Sequence, residues 1–152
     1  MVFLQGITIK GASDGTFWKR GLRFECVEGC TRCCEIPGYV FVHASEIHAI
    51  VEILHFTPEE FKSRFLKPYW GEVWHLDYPS EKPCMFLNEK GCSIYPVRPA
   101  QCASFPFWSE TTESLRAWRD LKRFCPGIDR GRLYSPDEIT TAVEKMQRLS
   151  LL

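Results

Sequence analysis

The 152-residue chain reads as a small α+β domain with short strands, about three to five helices and irregular loops. Three observations lead there. Thr57-Pro58-Glu59-Glu60 and Ser135-Pro136-Asp137-Glu138 each pair a capping hydroxyl with a proline at the first helical position and a glutamate three residues on, which opens a helix. Short alternating or aromatic stretches, bounded by Gly, Pro and Asn, suit strands rather than helices. Eight cysteines, four of them in the run Cys-Val-Glu-Gly-Cys-Thr-Arg-Cys-Cys over 26–34, fall where neither period runs and mark organised loops.

Taken in order, residues 2–10 alternate loosely and suit an edge strand, followed by a turn over 11–15. Phe17 to Phe24 is a second strand candidate that delivers the chain into the cysteine run, which Pro37-Gly38 closes with a turn. Ile47, Ile50, Val51 and Leu54 recur at the spacing of one buried helix face, so a helix is predicted over about 45–55, with Ser45 near its start. The next helix opens at Thr57, buries Phe61 and Phe65, and stops before Pro68. Tyr69 to Tyr78 reads as one aromatic strand. Asn88 to Gly91 is a turn, which would set Cys84 and Cys92 facing each other across a hairpin. A short helix from about Val97 to Ala103 ends before Pro106. Residues 109–124 fit neither period. A closing helix after Ser135 carries the stripe Ile139, Ala142, Val143, Met146 and Leu149, with acids in its first turn and Lys145 and Arg148 later, as the helix dipole favours.

No repeat, linker or low-complexity stretch divides the chain, so one domain with one core over 1–152 is expected, and 45% apolar with 14% aromatic residues suffices to build it. Lysine plus arginine equals aspartate plus glutamate at 19 each, which gives no electrostatic reason to predict nucleic acid or a membrane surface as partner. The N-terminus lacks the basic region of a signal peptide, and no stretch nears the ~20 apolar residues of a membrane span. A cytoplasmic location follows as the expectation, and there thiols stay reduced.

In that setting clustered cysteines point to metal, because thiolate is a soft ligand for zinc, copper(I) and iron–sulfur clusters. The candidate ligands are Cys26, Cys30, Cys33, Cys34, Cys84, Cys92, Cys102 and Cys125. Four thiolates close one tetrahedral site or fill the corners of one cluster, so eight suffice for two centres. Adjacent side chains diverge, so Cys33 and Cys34 are expected to serve two centres, or one centre with one free thiol. Disulfides or inert buried thiols are the alternative, and the density of the run counts against both. Lys19, Arg20, Arg23, Arg32 and Arg98 lie close in sequence to the thiols and are candidates to balance their charge. Arg98 would act on the bound cofactor from beside it, or else anchor its Arg-Pro turn. His43, His48, His55 and His75 are more simply surface or hydrogen-bonded histidines. Phe24, Phe86, Phe105 and Trp108 read as core that shields the site.

Cys26-x3-Cys30-x2-Cys33 resembles the three-cysteine motif of radical S-adenosylmethionine enzymes. Arg32 stands where that family prefers an aromatic, and 152 residues fall short of its barrel. A second resemblance covers more of the chain. The 26–34 run, Cys84-Met-Phe-Leu with Gly91-Cys92-Ser-Ile-Tyr95, Arg98-Pro99 with Cys102 and Phe105-Pro106, and Cys125-Pro126-Gly127 together resemble the YkgJ-like cysteine-cluster family, also called CxxCxxCC, over about 26–131. Two departures are visible: the first gap is three residues rather than two, and Ala103 stands where an arginine often follows the cysteine. The resemblance implies a cysteine-bound zinc, iron or iron–sulfur centre; an unknown protein or redox partner is the expectation that goes with it. Iron–sulfur is the favoured cofactor, in electron transfer, cluster handling or redox-linked modification. A structural zinc module is the rival, and a methyltransferase-like enzyme with an open cluster corner is the third reading.

Overall fold

A computed structural model describes residues 17–151. The strand predicted over 2–10 and the turn over 11–15 lie outside them. The described chain is α+β, as the sequence predicts, with short antiparallel strands in three small sheets.

Residues 17–20 form a turn rather than extending the second predicted strand, which is confined to β1 (Leu22–Phe24). The cysteine run follows, ending in a 3₁₀ turn at Arg32–Cys34, and β2 (Phe41–His43) leads directly into α1 (Ala44–Leu54). Ser45 lies near the start of α1, as expected, and His43 caps it: the His43 Nδ1 accepts from the Ser45 amide at 3.2 Å while its own amide donates to Glu46 Oε2 at 2.8 Å. Helix α2 (Pro58–Phe65) has the capping box read from the sequence, with Thr57 N–H donating to Glu60 Oε2 at 2.9 Å and Glu60 N–H to Thr57 Oγ1 at 3.2 Å.

The aromatic stretch predicted as one strand is a hairpin of β3 (Leu66–Trp70) and β4 (Val73–Leu76). Gly71, at φ 53°, makes the reversal, a backbone region that favours glycine. Pro68 is tolerated because the sheet order β2-β4-β3 leaves β3 at an edge. A two-strand ribbon follows, β5 (Leu87–Asn88) and β6 (Gly91–Cys92), then a 3₁₀ turn at Tyr95–Val97 and α3 (Ala100–Ser104). The indeterminate 109–124 region holds a single helical turn, Ser109–Thr112, and α4 (Leu115–Leu121), separated by a break too short for one period to emerge. Strand β7 (Arg132–Tyr134), unforeseen, pairs antiparallel with β1, and α5 (Pro136–Leu151) begins with Ser135 and Glu138 bonded reciprocally.

Buried apolar residues form two clusters where the sequence predicts one. The first lies between α1, α2 and the three-stranded sheet: Val42, Ile47, Ile50, Val51, Phe61, Leu66, Leu76, Phe86 and Ile94. The second joins both ends of the described chain: Trp18, Leu22 and Phe24 with Phe107, Trp118, Cys125, Ile128 and Ile139, where the rings of Phe107 and Trp118 stack at 5.9 Å. Inserting Phe17 to Phe24 and residues 107–139 on either side of a self-contained middle is what divides the core. Helix α3 holds the two parts together. Ala100 N–H donates to Glu46 Oε1 at 2.6 Å, Phe41 N–H donates to Gln101 Oε1 at 2.7 Å, and the same helix lies against α5.

Candidate metal centre

The cysteine loop runs between the two cores and is tied to each by its backbone. Cys30 N–H donates to Val27 O at 3.0 Å and Cys34 N–H to Thr31 O at 2.8 Å, so the run is two consecutive tight turns. Such turns leave side chains free to point at one another. From the first core, Cys84 N–H reaches Cys34 O at 2.7 Å, and Leu87 N–H bonds Cys84 O at 3.0 Å, which fixes the ribbon beside the loop. Leu87, not Cys84, is the cross-strand partner of Cys92. The two thiols are nevertheless close, since each packs against the first core and they interact electrostatically. From the second core, Glu25 N–H bonds Gly127 O at 3.2 Å and Arg32 Nη1 donates to Phe124 O at 3.1 Å, which brings Cys125 to the loop.

All eight cysteines are free thiols. Cys26 and Cys33 are exposed, Cys125 is buried, and the rest are half-buried. Cys34 is the hub: its thiol hydrogen-bonds those of Cys33 and Cys92, which drives its own proton loss far upward. The same bonds favour thiolate on the partners, lowering Cys33 to about 7 and Cys92 to about 6. The two adjacent thiols thus interact across the 3₁₀ turn that holds them. Cys102 is pushed up to about 12, first by burial and then by the thiols of Cys84, Cys33 and Cys92. Burial likewise raises Cys26, Cys84 and Cys125.

Arg98 combines both roles considered for it. Its Nη1 donates to Tyr95 O at 2.7 Å and its guanidinium lies 4.0 Å from the Tyr95 ring centre, which anchors the turn. Its charge also favours the thiolates of Cys26, Cys92 and Cys102. Of the other basic residues, Arg23 is committed to Gly131 O at 2.7 Å and Arg32 to Phe124 O. The histidines hold structural places: His43 caps α1, His48 pairs with Glu52 at 3.3 Å, His55 ends α1 at φ 58°, and His75 bonds Leu76 O and packs on Tyr39.

Phe24 and Phe86 are buried, and Phe105 meets Trp108 edge to face at 5.2 Å. Tyr78 is a neighbour that sequence reading missed. It senses Cys84, Cys102 and Cys34, its hydroxyl donates to Gly38 O at 3.4 Å, and burial leads the causes that push its ionisation to about 12. Nothing in its local sequence marks it. Glu46 is a second such residue, hidden because the capping box it completes opens on His43 rather than on a Ser, Thr, Asp or Asn.

The family model "CxxCxxCC: Putative zinc- or iron-chelating domain" matches residues 25–126, a stretch that contains all eight cysteines. The chain belongs to this family. No solved structure matches it. The donor set suits the CxxCxxCC description: soft thiols free of disulfides, on four separate segments, are the ligands zinc and iron take. Among the described residues no three such side chains already stand where they could hold one ion. Among those same residues, no helix is long and apolar enough to cross a membrane.

Proposed function

We propose that the protein is a cytoplasmic, single-domain carrier of a cysteine-ligated metal centre, with all eight cysteines as ligands and at least one centre iron–sulfur. Its role would be electron transfer or the handling of clusters in exchange with another protein. The observation that carries this reading is the meeting of thiols from four segments, 26–34, 84–92, 102 and 125, around Cys33 and Cys34. An iron–sulfur cluster bound there would supply a one-electron couple.

The chain's own residues then do the tuning. Phe86 and Tyr78 limit water beside Cys34, Cys84 and Cys102, while Arg98 offsets thiolate charge, and each affects the potential of a cluster held among them. Anaerobic purification with assay of iron, zinc and acid-labile sulfide tests the reading. A brown protein with iron and sulfide is expected. Colourless protein carrying zinc without sulfide, before and after iron–sulfide reconstitution, would establish the zinc module instead.

A further inference from the structure

We propose that the eight thiols divide into two four-thiol metal sites, an inner one of Cys34, Cys84, Cys92 and Cys102 and an outer one of Cys26, Cys30, Cys33 and Cys125. The proposal deepens the metal-binding reading and rests on it. Its first support is which core holds each thiol in place. Cys84 and Cys92 pack on the first core, and Cys34 is joined to Cys84 through the 2.7 Å amide bond. Cys102 rides on α3, which lies against α5 but which Glu46 and Gln101 fasten by hydrogen bonds to α1 and β2 of that same core. Cys125 belongs to the second core, with Gly127 bonded to Glu25 next to Cys26, and Phe124 bonded to Arg32 next to Cys33. The boundary between cores thus falls between Cys33 and Cys34.

Apart from Cys33, the thiols influence one another within the same boundary. Those felt by Cys125 are Cys30, Cys26 and Cys33, in falling order, whereas Cys102 feels Cys84, then Cys33, then Cys92. Cys33 bonds the Cys34 thiol and also senses Cys92, so it is the thiol through which the two sets touch. Four thiolates complete one zinc site or one cluster, so neither set needs a ligand from elsewhere. Access differs as well. Cys26 and Cys33 are exposed, and Cys30 lines an open groove with Glu28, Arg32, Glu35 and Pro126, so the outer site faces solvent.

Anaerobic loading of the reduced full chain with Zn²⁺, followed by native mass spectrometry, reads the division directly. Two ions per chain are expected in the wild type. Cys84→Ser and Cys102→Ser should each keep one, as should Cys26→Ser and Cys125→Ser, and the double variant Cys26→Ser/Cys102→Ser should keep none. A chelator should remove one ion from the wild type rapidly, and Cys26→Ser should lack that rapid phase while Cys84→Ser retains it. Circular dichroism identifies variants that fold, and the exposed Cys26 and half-buried Cys84 keep the comparison interpretable if Cys102 or Cys125 is needed for folding. One ion in the wild type, or loss of both ions from folded Cys26→Ser or Cys84→Ser, would overturn the division while leaving metal binding intact. Failure of the wild type to take up zinc or iron would overturn the metal reading itself.

Discussion

Asp129 shows how much one side chain secures near the site. It adopts φ 62°, accepts from Trp118 Nε1 at 3.0 Å, and pairs with Lys122 Nζ at 3.1 Å. Trp118 is buried in the second core, so its indole N–H has no water to replace a lost acceptor. Asp129→Ala is predicted to cost about 1–3 kcal/mol in denaturant unfolding, and Asp129→Asn clearly less, because Asn tolerates the left-handed backbone and still accepts the bond. The Trp118 and Lys122 bonds hold the Asp129 carboxyl below its usual range. Its contribution is therefore present above an unfolded value of about 3.9 and is lost as pH falls through the depressed folded value. Asp129→Asn should flatten that part of an acid titration of stability. Gly127 is the second such residue. A Cβ there would collide with the carbonyl oxygen of Glu25, a backbone atom with little room to yield. Gly127→Ala is predicted to destabilise by about 1–3 kcal/mol and to weaken metal uptake by displacing Cys125 from Cys26, which thermal unfolding and zinc titration would show.

Elements with a local cause were legible in the sequence, and those whose cause lies elsewhere in the chain were not. Helices α1, α2 and α5 announce themselves through capping and a 3.6-residue stripe, and Ile47, Phe61 and Ile139 are buried as that stripe requires. Thr57→Ala should cost α2 about 0.5–2 kcal/mol, measurable as a lower urea midpoint at unchanged slope. The hairpin at Gly71 was hidden because aromatics on both sides of the turn read as one continuous strand. Strand β7 exists because β1 is there to receive it, with Leu22 opposite Tyr134. The candidate site divides the same way: residue type and density reveal the eight thiols, but which thiol meets which depends on Arg32 reaching Phe124 and Cys84 reaching Cys34.

For the whole molecule, metal adds to a fold that already has apolar cores. With free metal at about 100 times its dissociation constant, each site adds about 2.7 kcal/mol to stability. Stripping the metal should lower the thermal midpoint while far-UV ellipticity at low temperature is retained, since α1 and α2 are seated on Ile, Val and Phe rather than on thiols. The order of the two cores along the chain carries a further consequence. The first is drawn from the unbroken stretch between Val42 and Ile94, whereas the second waits for Phe107 to Ile139 to return to Trp18 and Phe24. On a ribosome, which delivers the N-terminal part first, the middle can consolidate while Leu22 to Phe24 still lack the strand that pairs with them. Cys34, Cys84 and Cys92 would then assemble during synthesis, and Cys26, Cys30 and Cys33 would stay open in the nascent chain until Cys125 emerges.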